Sequence, residues 1–302
     1  MLGVDSEVKK VLFIVNKFSG TGYQPAVEGR ITDTCAANDV ECTIEFTRAR
    51  GHATELAREG VAKNFHSVVA VGGDGTVNEV ARGLVGTGVP MGIIPKGSGN
   101  GLGRHLGIPV TIGPALDSLF KSQPLGMDTF TINGHLSLNV SGIGFDGHIA
   151  NLFGKDKKRG LAGYVKLTAS EFFSFREFDL TLHIDGQTLA RKAFIMAIAN
   201  SSQYGNNARI APAASVCDGV LHLSLLKKVP PYRVDFIYAF FTGNVHRSSY
   251  CEVIETKSLT ITTSEPVSYH IDGEPSGAAT TFDIVLNPCS LKMLVPPQSR
   301  KV

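Results

Sequence analysis

The sequence predicts an α/β domain built on a parallel, doubly wound sheet, followed by a mainly antiparallel, β-rich domain. Three observations carry this. The first third of the chain alternates apolar strand runs with helix-periodic segments, which is the rhythm of βα units. Near Gly126 that rhythm gives way to short alternating strands joined at Asn133-Gly134 and Asp185-Gly186, both strong hairpin signals. A chain of 302 residues with 43% hydrophobic and 19% charged residues is long enough for two cores.

The elements follow in order. Residues 10–16, KVLFIVN, read as a buried strand ending in the polar loop KFSGTG, with a helix from about Gln24. ECTIEFT (41–47) alternates as a strand, and HATELAREG (52–60) is helical. SVVAVGG (67–73) is the β-branched run of a strand covered on both faces, VNEVARGLV (77–85) a helix, and VPMGIIP (89–95) a further strand. Helices are expected at 164–178 and 232–242 within the second half. The predicted division is residues 1–126 and 127–289; PCSLKMLVPPQ (288–298) reads as a late strand. No period of 20 to 50 residues repeats, which excludes an array.

Composition narrows the function classes. Twenty-nine basic against 27 acidic residues leave a net charge of +2, which argues against a partner in nucleic acid. No apolar run approaches the roughly 18 residues of a membrane span, and the N-terminus lacks an apolar signal segment. Five scattered cysteines without a C-x-x-C pair fit a reduced, cytoplasmic protein with no cysteine metal cage.

Three glycine-bearing loops, NKFSG (16–20), GGDGT (72–76) and PKGSGN (95–100), fall at carboxyl ends of the predicted parallel strands, where such sheets gather ligands. GGDGT sits at a strand-to-helix turn. Bare backbone N–H groups and a helix N-terminus there suit a phosphate, hence a nucleotide; the plainer alternative is a tight turn with glycines at positive φ. In PKGSGN, Ser98, Asn100 and the amides can hold phosphate oxygens, or the stretch is a flexible connector. The Walker P-loop is absent, since Lys96 precedes its glycine. Gly142-Ile143-Gly144-Phe145-Asp146-Gly147 matches G-x-G-x-x-G but lacks a ribose-binding acid at the right distance, and reads as a structural turn. In HIDGEP (270–275), Asp272 and Glu274 would share one face of a strand and divide metal contact from proton acceptance; alternatively they are the solvated tip of a hairpin. FFSFREF (172–178) and KDKKRG (155–160) offer either a hydrophobic, lipid-facing surface with basic residues or core phenylalanines with a solvated loop.

VGGDGTVNEV, PKGSGN and HIDGEP, taken in order, resemble the catalytic pattern of the diacylglycerol kinase and sphingosine kinase superfamily, in particular its bacterial soluble lipid kinases. FTRARGHATELA (46–57) and APAASVCDGVLHLSLL (211–226) are similar to further motifs of that family. The resemblance implies an ATP-dependent lipid kinase with a C-terminal β-sandwich, an active site in the cleft between the domains, and a last strand (about 290–302) returning to the first domain. It implies ATP contacts from Asn16, Ser19, Gly20 and Thr47, from Gly72, Gly73, Asp74, Gly75, Thr76, Asn78 and Glu79, and from Gly97, Ser98 and Asn100. Asp74 would face the phosphates and their Mg²⁺, and Glu274 or Asp272 would accept the lipid hydroxyl proton. Ser215, Asp218 and Val220 would frame a structural Mg²⁺. Lys17, Ser98 and Gly101 depart from the family's Pro, Thr and Asp, and the Gly101 position leans toward sphingoid acceptors. The implied partner is a lipid at the membrane surface, met peripherally and transiently, with a homodimer left open. Two rivals stand beside this reading: a soluble NAD kinase, which shares GGDGT, and a noncatalytic nucleotide- or lipid-binding regulator.

Overall fold

The computed structural model describes residues 9–20, 22, 25–155 and 161–297. The chain forms two compact units, Met1–Met127 with Ser290–Val302, and Asp128–Cys289.

The first unit runs β1 (Lys9–Val15), α1 (Ala26–Ala36), β2 (Val40–Phe46), α2 (His52–Ala62), β3 (Ser67–Gly72), α3 (Asp74–Leu84), β4 (Met91–Pro95), α4 (Gly101–His105) and α5 (Ile112–Leu119). β1 pairs in parallel with β2 and β3, and β3 with β4. β3 is buried along its whole length, as its unbroken apolar run requires of a central parallel strand. α1 buries Val27, Ile31 and Cys35, an i, i+4, i+8 stripe. Burial pushes the Cys35 thiol up to about 12, with Cys42 beside it adding to the rise.

The second unit contains β5 (Gln123–Ile132, beginning in the first unit), β6 (His135–Ser137), β7 (Val140–Gly144), α6 (Phe145–Lys155), α7 (Leu161–Ser174), β8 (Phe178–Ile184), β9 (Gln187–Ala193), β10 (Ile195–Ala199), β11 (Leu221–Leu226), α8 (Val234–Thr242), β12 (Cys251–Thr256), β13 (Ser258–Ile271) and β14 (Glu274–Val295). Its strands pair antiparallel in the order β12-β11-β10-β7-β13 and β9-β8-β13-β14. β13 serves both sets: Thr260–Thr263 pair with β8, and Tyr269 and His270 with β7. A register shift between Thr262 and Val267, around Pro266, lets one strand turn from one layer into the other. Phe130, Leu182, Met196, Leu223, Ile261 and Phe282 fill the space between them. Beyond the second unit β14 continues to Val295, where Met293 lies opposite Met91 of β4, in parallel, and completes the first unit's sheet.

Several expectations need correction. The strand-to-helix turn at Gly144 (φ 108°) opens α6, a helix the alternating pattern concealed; α4 and α5 were likewise not foreseen. α7 stops at Ser174, and Phe178 opens β8. The hairpin signals hold, with Asn133-Gly134 and Asp185-Gly186 both at positive φ, as type I′ turns need. FFSFREF divides: Phe172 and Phe175 pack edge-on or tilted against the stacked rings of Phe145 and Phe194, while Phe173 is exposed. The KDKKRG side chains lie outside the described residues.

Asp128, buried at the start of the second unit, accepts from the Gly219 N–H through Oδ2 and from the Cys289 N–H through Oδ1, both at 2.7 Å. One carboxylate thus fastens the 211–220 loop and β14. Asp128→Ala strands both donors and is expected to cost about 3 kcal/mol in urea denaturation of the second unit.

Candidate active site

Four loops leave the carboxyl ends of neighbouring parallel strands in the first unit, and hydrogen bonds stitch them together. The Asn16 N–H donates to the Val71 carbonyl, the Thr47 N–H to Val15, and the Lys96 N–H to Gly72. Asn16 Nδ2 donates to Thr76 Oγ1 at 2.9 Å, tying the first loop to α3. Lys96 reaches back along the same edge, its Nζ donating to the carbonyls of Ser19 (3.0 Å) and Asn16 (3.4 Å). Burial lowers the pKa of this lysine below its ordinary value.

The glycines are explained by contact between loops. A Cβ on Gly97 would stand 2.6 Å from the Gly73 Cα, and one on Gly20 would run into the Lys96 carbonyl. GGDGT and PKGSGN therefore meet backbone against backbone. Asp74 braces the junction, its Oδ2 accepting the Asn100 N–H (2.9 Å) and its Oδ1 the Gly101 N–H (2.8 Å). Asn100 holds αL geometry (φ 51°, ψ 45°), and its side chain closes the loop on Gly97 through both amide atoms. Gly73 is the N-cap of α3, whose first turn begins at Asp74, so the α3 N-terminus opens beside this junction.

The second unit gathers a different set of carboxylates. Asp272 and Gly273 form a two-residue turn (φ 49° and 84°) between β13 and β14, with Ile271 opposite Glu274. The Asp272 carboxylate accepts from Ser137 Oγ (2.7 Å), Leu138 N–H (2.9 Å) and Asn139 N–H (3.0 Å). His270 receives the Gly273 N–H on Nδ1, so its proton sits on Nε2, 3.2 Å from Asp146 Oδ2. The Tyr204 hydroxyl donates to that same oxygen at 2.8 Å. α6 presses on the turn from the other side: a Cβ on Gly147 would lie 2.5 Å from the Ser268 carbonyl, and one on Gly154 2.7 Å from the Pro275 ring. Glu274 stands at the exposed start of β14.

With this geometry in view, comparison with known proteins is informative. Residues 10–132 match the diacylglycerol kinase catalytic domain, and residues 139–295 match the YegS C-terminal NAD kinase beta sandwich-like domain, which alone spans more than half of the chain. The chain belongs to the diacylglycerol kinase-like lipid kinase family. The diacylglycerol kinase of Bacillus subtilis is 26% identical over 89% of this chain and 91% of its own length. An uncharacterized Synechocystis protein is 28% identical over 87% of this chain, which spans only 65% of that relative. In fold, a crystal structure of a diacylglycerol kinase from Bacillus anthracis superposes with a TM-score of 0.75 at 24% identity, covering 97% of this chain and 98% of the other.

Within this lipid kinase fold the structure gathers most of the sequence-expected nucleotide residues at one sheet edge and corrects the setting of others. Glu79 sits in α3 with Oε2 accepting the Ala53 N–H, so it braces the start of α2. Asp272 and Glu274 do not share a strand face as expected, because Asp272 occupies the turn itself. The Gly142–Gly147 stretch is more than a turn, since it delivers Asp146 to His270 and Tyr204. Sequence reasoning missed Lys96, Asp146, Tyr204 and His270 as site-building groups; the signal for Lys96 was its place directly after a strand, and nothing local marked the other three as partners. Ser215 Oγ accepts the Cys217 N–H, and Asp218 Oδ1 accepts the Val220 N–H at 3.0 Å while Oδ2 lies 3.8 Å from His222 Nε2. Among the described residues no three His, Cys, Asp or Glu side chains converge as a metal group. A half-exposed Asp218 carboxylate nevertheless suits a hard cation that keeps part of its water.

Two variants probe the loop junction. Gly97→Ala is expected to leave the second unit intact and to lower kinase activity at least about tenfold, as read by a phosphate-transfer assay. Asp74→Asn turns an amide NH₂ toward one of two N–H donors, so a lower melting temperature together with lost activity is expected, not lost activity alone.

Proposed function

We propose that the chain is an ATP-dependent kinase that transfers the γ-phosphoryl group to a hydroxyl of a membrane lipid, diacylglycerol-like or sphingoid. The observation that carries this is the backbone-to-backbone junction of GGDGT and PKGSGN at the α3 N-terminus, within a domain matching the diacylglycerol kinase catalytic model. Phosphoryl transfer asks the protein chiefly to position the acceptor and to offset charge on the equatorial oxygens, and fixed amides do this without reorganising. Asn16, Ser19, Gly20, Thr47, Gly72–Thr76, Asn78, Gly97, Ser98 and Asn100 would cradle the nucleotide.

Mg²⁺ bound with ATP would supply Lewis-acid stabilisation of the β- and γ-phosphates, and Asp74, the carboxylate at the loop junction, would hold it. A second Mg²⁺ at Asp218, with the Ser215 and Val220 carbonyls, would be structural. In the transfer itself the lipid oxygen forms its bond to the γ-phosphorus as the bond to the β–γ bridging oxygen breaks. ADP leaves, and the hydroxyl proton passes to a carboxylate on the Asp272–Glu274 hairpin. We assign that proton to Glu274, because Asp272 already accepts three hydrogen bonds that hold the turn. Asp146, His270 and Tyr204 are positioning residues for the hairpin.

The test is labelled ATP with a panel of lipid alcohols in mixed micelles, and NAD as a separate acceptor. Phosphate on a lipid alcohol is the expected result; phosphate on NAD alone would overturn the lipid assignment in favour of the NAD kinase rival. On the best lipid, Glu274→Gln should lower the single-turnover rate by about 10²- to 10⁴-fold with the fold intact. Asp272→Asn should lose thermal stability as well, and a larger chemical-step loss for Asp272→Asn would reverse the assignment.

A further inference from the structure

α8 has two apolar faces. Phe236 and Phe240 pack inward on a core of Val140, Ala197, Ile210 and Val245. On the opposite side Val234, Ile237, Tyr238 and Phe241 recur at i, i+3, i+4 and i+7, the spacing of a helix face made to be buried. Yet all four are exposed, Phe241 at 51% and Tyr238 at 72%, and Tyr232 just before the helix reaches 77%. No position in α8 is fully buried. Surfaces of this kind mark an interaction site.

The charges around the helix indicate what covers it. The segment 227–250 carries Lys227, Lys228, Arg233 and Arg247 against one acid, Asp235, which is already paired with Arg233 at 2.7 Å. A groove beside it, ending at Pro230 and Pro231, is lined by Phe173, Arg176, Lys192 and Lys228. Its one acid, Glu177, accepts the Lys228 N–H at 2.7 Å. Lys228 Nζ binds the carbonyls of Phe173 and Phe175, which fixes the 227–231 loop to the end of α7. Exposed aromatic and aliphatic side chains on a short helix, tyrosines at its margin and a cationic border match an interfacial membrane helix. At nine residues α8 is far too short to span a bilayer, and no helix among the described residues is long and apolar enough to do so.

We propose that α8, with Tyr232 and the adjoining Phe173 groove, is the surface by which this protein docks on an anionic phospholipid bilayer, its outer face entering the headgroup boundary. The identification of a bilayer as the occupant rests on the lipid-kinase reading above. α8 is a part of this surface that the sequence did not suggest, whereas Phe173 and Arg176 belong to FFSFREF, one of the two segments expected to offer a lipid-facing surface.

The experiment is flotation of the full chain with vesicles of phosphatidylcholine alone or mixed with phosphatidylglycerol, for the wild type, Ile237→Ser and Phe241→Ser. The wild type is expected to float with the anionic vesicles and to lose binding as salt rises. Each substitution should reduce the bound fraction constant by about tenfold or more while the melting temperature stays unchanged. Both variants should phosphorylate a short-chain lipid alcohol, kept below its aggregation concentration, at the wild-type rate. Wild-type protein that ignores anionic vesicles, or variants that float as well as wild type, would overturn the proposal. So would a wild-type dimer in analytical ultracentrifugation that Ile237→Ser dissociates, because a second copy would then cover the face. Vesicle binding without phosphorylation of any lipid alcohol would defeat the kinase reading and leave the docking surface standing.

Discussion

Gly73 and Gly97 approach so closely that neither loop has room for a side chain between them. Everything proposed for the first unit depends on that approach. Three loops can present amides to one anion only if their backbones lie side by side, and side-by-side backbones repel any Cβ placed between them. Once the chain is committed to glycine there, it loses the stiffness that side chains provide. Asp74, Asn100, Asn16 and Lys96 restore it with hydrogen bonds that run between loops, not within them. The aspartate that looks from sequence like a phosphate-facing group is thus first a structural brace.

The second unit solves a similar problem differently. A two-residue hairpin turn is a mobile place for a group proposed to accept a proton in a defined position. Here the turn is held at its side chain by Ser137, Leu138 and Asn139, at its backbone by His270, and from behind by α6, whose glycines allow contact with β13. His270 is in turn fixed by Asp146, and Asp146 by Tyr204. Rigid support of this depth is what a functional carboxylate on a loop requires.

Much of the architecture was legible because it is written in local pattern. β1, β2, β3, β4 and the helices α1 to α3 announce themselves by period, and the I′ turns at Asn133-Gly134 and Asp185-Gly186 by their residue pairs. α6 was not legible: its N-terminus, GFDG, carries Gly144 at positive φ and Gly147 in contact with β13, and the two glycines mimic a turn. The clustering of three loops at the carboxyl ends of β1, β3 and β4 was readable from glycine content and position. The partnership of Asp146, Tyr204 and His270 was not, because the three lie 58 and 124 residues from one another in bonds that only the folded chain reveals. The exposed face of α8 illustrates a further limit, since periodicity shows that a helix has an apolar stripe without showing whether the protein itself covers it.

β14 gives the first unit its fifth parallel strand from residues near the end of the chain, with Met293 beside Met91. Synthesis on the ribosome proceeds from the N-terminus, so β1 to β4 emerge and can pair long before their last neighbour exists. During that interval the outer edge of β4, MGIIP, is an unpaired and wholly apolar strand edge, the kind that recruits foreign strands. The nascent chain must either delay the closure of its first unit or shield that edge until more than 160 further residues have been made. The order of the elements along the chain therefore sets a demand on cellular folding factors that the finished molecule, with the edge sealed, no longer displays.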